Sequence, residues 1–451
     1  MPFSKLPVLL LGLSLFAPAS APAHPGHSPN PKARAAVVVS IDGLMPDYYL
    51  KADELGLKVP NLRRLMRDGV YGRVQGVLPT VTYTSHTTLL TGVPPRLHGI
   101  GSNSVFDPED QAGDAWNWFA EDIRVPTLVR GARENRIRTG AVSWPVTIGL
   151  DADWNLPEFW RPGSNHPVDF KFLKQLSTPG MLDAVAEHRG KPFPWPLTEQ
   201  ERIDTAVYLL ETQHPGLLLI HIFDLDFAQH RHGPGSPEAL AAVEKSDAAL
   251  GRFLAALGEQ PGPTLFAVVS DHGFLPVSQA IQPNTLLREA GLIEVDDKGK
   301  VKTWKAFFQA DGGSAALHLK DPKDNATLER VRQLLAPKLT DPAAGIFQLL
   351  EPARIAELGG PAEAVLVLDA RSGFSFSDSV AGGWLTTPPY KGTHGHAPDR
   401  PELHASFVMT APGLKRKGDL GVVPMTSIAP TVAQFLKIRL SPQAGPPLPV
   451  W

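Results

Sequence analysis

Residues 35–43 read AAVVVSIDG. The run before Asp42 is almost wholly apolar, with none of the alternation that a half-exposed strand would show. It is predicted to be a strand covered on both faces, of the kind found in parallel sheets. Four further runs have the same character: TGAVSW (139–144), GLLLIHIF (216–223), TLFAVVS (264–270) and ASFVMT (405–410). Helical patterns separate them, among them NLRRLMRDG (61–69) and PEALAAVEKSDAALGRFLAAL (237–257). This alternation predicts an α/β fold with a central, mostly parallel sheet between helices. In such sheets function collects just beyond the carboxyl ends of the strands.

Three of the runs end on acidic residues. AAVVVSI meets Asp42, GLLLIHIF runs into FDLD with Asp224 and Asp226, and TLFAVVS meets Asp271 in SDHG. A lone carboxylate at a strand end is commonly a cap or turn former. Three at one sheet edge, two of them with histidines, point to a cation site. Asp226 and His230 are four residues apart, which puts both on one face of a helical turn. Asp271 and His272 are adjacent, and Gly273 allows the backbone to turn sharply. His394 lies in KGTHGHAPD between glycines. Three Asp and three His make a mixed oxygen and nitrogen donor set. It suits Zn2+, with Mn2+ or another divalent ion as the alternative, better than Mg2+ or Ca2+.

The remaining composition narrows the function. The chain has 451 residues, 43% of them apolar, and a formal net charge of −3. No basic stripe is available for neutralising nucleic-acid phosphates, so no nucleic-acid-binding surface is expected. Cysteine is absent, which excludes thiolate metal sites, cysteine catalysis and disulfides. The first residues, MPFSKLPVLLLGLSLFAPASAPA, have the pattern of a signal peptide over 1–23. Their apolar run is too short for a transmembrane span of about twenty residues. A flexible leader is expected over 24–34, and a periplasmic or secreted location follows. The catalytic domain is expected over 35–294 and 391–451. A smaller, mostly antiparallel insertion over 295–390 would wall the site.

The stretch LPTVTYTSHTTLLTG (78–92) is dense in hydroxyls. Residues 85–90 are predicted to be helical with Gly92 as the stop, so Thr82 lies just ahead of the helix, where amide dipoles favour an oxyanion.

Taken in order, VVVSIDG, PTVTYTSHTTLLTG, HGIGSN, DFAQHRHGP, VVSDHG and GTHGH resemble the nucleotide pyrophosphatase/phosphodiesterase family of the alkaline phosphatase superfamily, over roughly residues 36–438. The resemblance implies two zinc ions, one held by Asp226, His230 and His394, the other by Asp42, Asp271 and His272 with Thr82 as an added ligand. It makes Thr82 the nucleophile of a two-step in-line displacement through a covalent phosphothreonine. Asn103 would donate a hydrogen bond to a phosphate oxygen. Tyr83 would lie beside the substrate, with Trp144, Trp154, Phe159 and Trp160 as further aromatic candidates. Thr84 and Ser85 replace the family's Pro and Asn. His86, His221 and Asp224 are expected to be structural.

The implied function is an exported phosphodiesterase or nucleotide pyrophosphatase acting on a small diester, either a nucleotide or a phospholipid head group. The superfamily's related monoesterases place a Lys and an Arg after the strand matched by TGAVSW. Here WPVTIGLDADW follows, and no Lys or Arg occurs before Arg161. A singly charged diester is therefore the better electrostatic match. The alternatives are a phosphomonoesterase and a non-catalytic zinc- or phosphate-binding protein.

Overall fold

The computed structural model describes residues 33–113, 115–159, 167–258 and 262–451. The expected signal peptide, most of the leader, Trp160 and Arg161 lie outside these residues. Six strands are used below to locate the site: β1 (Ala35–Ile41), β2 (Val70–Gln75), β3 (Thr139–Val142), β4 (Trp154–Leu156), β5 (Leu217–Ile222) and β6 (Thr264–Val269). With Ala405–Thr410 and Gly418–Pro424 they form one eight-stranded sheet. Its order is Gly418–Pro424, β2, Ala405–Thr410, β6, β1, β5, β3, β4. All neighbouring pairs are parallel except those made by Ala405–Thr410, which runs antiparallel to both β2 and β6.

The apolar runs are strands because both faces are covered. Val37, Val39 and Ile41 pack on one side with Leu62, Leu65, Val243 and Phe253. Ala36 and Val38 pack on the other with Val129, Ile428 and Val432. This alternation splits one continuous hydrophobic run between two separate cores.

The order places β6, β1 and β5 side by side in the middle of the sheet, all parallel. Their carboxyl ends therefore open at one edge, where Asp42, Asp226 and Asp271 follow. A smaller four-stranded antiparallel sheet has the order Ala306–Asp311, Ser314–Leu319, Leu366–Ala370, Ile346–Leu350. Helix Asn325–Thr340 adds Val331 and Leu335 to the core on this sheet. Ser102 links it to the 99–104 loop by donating to Asp311 Oδ1 at 2.6 Å.

Candidate metal centre

Asp42 leaves β1 into Gly43, whose φ of +67° is in the left-handed region. A Cβ there would meet Gln229 Nε2 at 2.7 Å, so the turn requires glycine. The Gly43 N–H donates to Asp271 Oδ1 at 3.0 Å, and the His272 N–H donates to the same oxygen at 3.1 Å. Two backbone donors thus fix one side of Asp271 and leave Oδ2 facing inward. There it lies 3.1 Å from His272 Nε2, which is also 3.3 Å from Asp42 Oδ1.

Asp226 and His230 both lie on helix Asp224–His232, with His230 Nε2 3.4 Å from Asp226 Oδ1. His394 approaches the same oxygen at 3.8 Å. Its ring stacks on His272, with centroids 3.5 Å apart and planes 8° from parallel. Gly395 follows at φ +94°, and a Cβ there would lie 1.7 Å from Asp311 O.

Two triplets have donor atoms that all lie within 4.8 Å of one another: Asp42, Asp271, His272 and Asp226, His272, His394. The first is the set expected from the sequence. The second differs from expectation because His272 takes the place of His230, which reaches Asp226 from the rim. One ring, His272, therefore belongs to both.

The donor chemistry fits divalent cations. Asp42 Oδ1, Asp226 Oδ1 and Asp271 Oδ2 are buried without a hydrogen-bond partner. Among the described residues, no Lys or Arg lies within 4.0 Å of these carboxylates. The imidazoles are oriented to match. Nδ1 of His230 bonds to Gly392 O at 2.9 Å, that of His272 to Gly273 O at 3.2 Å, and that of His394 to Thr80 O at 3.0 Å. A carbonyl can only accept, so each Nδ1 carries the hydrogen. A neutral ring with its hydrogen on Nδ1 presents the Nε2 lone pair, the arrangement that a metal requires. Burial holds His272 and His394 well below the usual histidine range, which keeps them neutral. Burial, then the neighbouring carboxylates, pushes Asp42 up. Asp226 is also pushed up, chiefly by burial. A cation would relieve both.

Thr82 is the first residue of helix Thr82–Thr91, three residues earlier than the sequence predicts. No side chain caps the preceding Val81, and β-branched Thr is a poor helix former, so the start carries no local signal. Thr82 Oγ1 lies 3.5 Å from His272 Nε2. Thr84 is the third helical residue, where an N–H has no intrahelical partner, so a Pro there would remove no helical hydrogen bond. Thr87, Thr88 and Thr91 each donate to the carbonyl four residues earlier.

Asn103 Oδ1 accepts from the Tyr83 N–H at 2.8 Å, which leaves the Asn103 amide hydrogens as donors. Tyr83, expected beside the substrate, packs inside the protein. It is fully buried, edge-on to Trp116 at 5.2 Å, with its hydroxyl donating to Glu158. In this structure it presents no open stacking face. Trp144 is also buried, against His86. Trp154 and Phe159 are partly buried, packed on the core.

Sequence reasoning missed His221 and Glu158. His221 Nε2 lies 3.1 Å from Asp42 Oδ2, and Nδ1 lies 3.0 Å from both Glu158 Oε2 and Ser143 O. Burial would lower its pKa, but the bonds to Asp42 and Glu158 outweigh that and raise it to about 10. An ionisable residue inside an apolar strand run was the available signal, because it needs a buried partner. His86, by contrast, is held down at about 3 by burial.

The sheet and its carboxyl-edge cluster define an alkaline-phosphatase-like α/β fold. The family model described as type I phosphodiesterase / nucleotide pyrophosphatase matches residues 36–397, and the chain belongs to that family. Venom phosphodiesterase 2 of Crotalus adamanteus is 21% identical over 432 residues, covering 91% of this chain and 46% of its own length. The chain thus spans about half the length of the curated relatives it matches. Human ectonucleotide pyrophosphatase / phosphodiesterase 5 has the same fold, with a TM-score of 0.64 at 18% identity, covering 91% of this chain and 97% of its own. An inactive threonine-to-alanine variant of the murine protein, in complex with AMP, gives a TM-score of 0.63 at 18% identity over the same shares.

Proposed function

We propose that the chain is an exported phosphodiesterase in which Thr82 is the nucleophile and two zinc ions are held by the carboxyl-edge cluster. The observation that carries this reading is the position of Thr82 Oγ1, 3.5 Å from the ring shared by both donor triplets. Asp42, Asp271 and His272 with Thr82 would hold one ion, and Asp226, His394 and His230 the other. Divalent cations there supply charge neutralisation for an anionic phosphate and for the alkoxide form of Thr82.

The protein's own groups then have defined tasks. The first turn of the Thr82 helix directs backbone N–H groups at the nucleophile's end, favouring negative charge. Asn103 donates from its amide to a non-bridging phosphate oxygen as charge builds up. Thr82 Oγ forms a bond to phosphorus while the bond to the leaving oxygen breaks, and that oxygen takes up a proton. Water attacks in the second step, releasing the phosphate monoester and restoring the Thr82 hydroxyl. The part-buried Arg202 hydrogen-bonds to Ser143 Oγ and Leu197 O. Among the described residues no Lys or Arg lies within 4.0 Å of the cluster carboxylates, and His221 is already taken up by Asp42 and Glu158, so a diester monoanion fits better than a monoester dianion.

A nucleotide is the favoured substrate class, supported by the AMP complex of the murine relative; a phospholipid head group is the second. Export is supported by the leader-like first residues and by the venom and ecto-enzyme names of the relatives. Among the described residues no helix is long and apolar enough to cross a membrane. Residues 295–390 are proposed as an insertion into a catalytic domain made of 35–294 and 391–451.

The test is hydrolysis of bis-p-nitrophenyl phosphate and p-nitrophenyl phosphate with and without chelator. Chelator-sensitive diester cleavage that Thr82→Ala abolishes is expected. Faster monoester cleavage, or an active Thr82→Ala variant, would refute the reading.

A further inference from the structure

A chain of buried hydrogen bonds runs behind the donor cluster. Asp42 Oδ2 lies 3.1 Å from His221 Nε2, and His221 Nδ1 lies 3.0 Å from Glu158 Oε2 and from Ser143 O. Ser143 O can only accept, so Nδ1 donates, while Nε2 meets the Asp42 carboxyl. Glu158 uses its second oxygen, Oε1, to accept from Tyr83 Oη at 3.2 Å. The backbone N–H of Tyr83 donates to Asn103 Oδ1 at 2.8 Å. The path Asp42–His221–Glu158–Tyr83–Asn103 thus joins the end of β1, the end of β5, the segment after β4, the Thr82 helix and the 99–104 loop.

We infer that Glu158 is a positioning residue that aligns the metal-binding and phosphate-binding halves of the site. This rests on the function proposed above. Through His221 it fixes Asp42 Oδ2, which leaves Oδ1 turned toward His272 as a donor. Through the Tyr83 hydroxyl it fixes the residue next to Thr82, whose N–H orients Asn103. A purely structural role would not need these groups, because an apolar set of equal volume avoids the cost of burying Glu158 and His221. Partners behind a ligand commonly set its orientation, and their loss costs about 10–100-fold in metal affinity or activity.

Glu158→Gln keeps the volume but offers one accepting oxygen to the two described donors, His221 Nδ1–H and the Tyr83 hydroxyl. Three readouts separate the possibilities: zinc affinity by competition with a chromogenic chelator, turnover of bis-p-nitrophenyl phosphate at saturating zinc, and melting of the metal-free protein. Glu158→Gln is expected to weaken zinc binding about tenfold or more, to lower kcat with KM little changed, and to leave the metal-free melt near wild type. Tyr83→Phe deletes one hydroxyl only, and is expected to lower kcat while zinc affinity stays within about twofold of wild type. A folded Glu158→Gln variant with wild-type zinc affinity overturns the inference. If that variant melts early, Tyr83→Phe decides, and an unchanged kcat overturns it. If the wild-type protein binds zinc but cleaves no diester, the functional reading fails while the Glu158 zinc affinities still decide this one.

Discussion

Asp42, Asp271 and His272 are enclosed on all sides, whereas Asp226 and His230 stand at the rim with 14% and 31% of their side chains exposed. The deep group is also held from behind. Two backbone N–H groups grip Asp271, and His221 grips Asp42. At the rim, the His230 ring bonds to the Gly392 carbonyl. The contrast teaches that one part of the candidate cluster is rigidly supported and enclosed, while the other is open to solvent. His272 joins the two, so neither part is independent.

The largest effect is expected in the deep group. Asp271→Asn should lower diester turnover by about 10^3-fold or more, with no recovery in excess zinc, because the supporting geometry is lost with the charge. His230→Ala should weaken zinc binding by about 10–100-fold and recover turnover as zinc is raised. Should excess zinc fail to rescue His230→Ala, the distinction between rim and interior collapses.

A buried carboxylate outside the cluster supplies a control. Asp311 is enclosed, accepts from Ser102 and is raised to about 7 by burial. A carboxyl raised in the folded state binds more protons there than when unfolded. Its contribution therefore favours folding below its unfolded pKa and is lost as pH rises through about 7. Asp311→Asn should thus stabilise the protein more at pH 8 than at pH 5, by on the order of 2 kcal/mol. Chemical denaturation at both pH values checks this, and an equal effect at each would break it. The smallest effect concerns Thr88, whose hydroxyl donates to Thr84 O and contacts His98 Nε2 at 3.1 Å. Thr88→Val should cost about 1–2 kcal/mol in thermal or chemical melts while zinc affinity stays unmoved.

The sheet was legible because burial on both faces writes itself into the sequence as continuous Val, Ile and Leu runs. β1, β5 and β6 all fall where those runs predict them. The acidic residues after them were legible for the same reason, since a strand end is easy to find and a carboxylate there stands out. The start of the Thr82 helix was not, because Val81 offers no capping side chain. The roles of His221 and Glu158 depend on contacts 63 residues apart. No local pattern encodes such a pairing. Thr80 was equally silent, although its carbonyl orients His394 and its hydroxyl accepts from the Gly395 N–H across more than 300 residues.

The strand order has one more consequence, which concerns time. Followed along the chain, the candidate donors arrive at 42, 82, 226, 230, 271, 272 and 394, and only the finished sheet gathers them. A growing chain offers a passing ion no more than fragments, such as the helical pair Asp226 and His230. Closing the loops between them has an entropic cost that must be met before any ion can be enclosed. A metal ion held by this cluster would therefore be a late arrival rather than a nucleus for folding. If the cluster carries an ion and the chain is exported before it folds, the compartment in which folding is completed would set which ion that is.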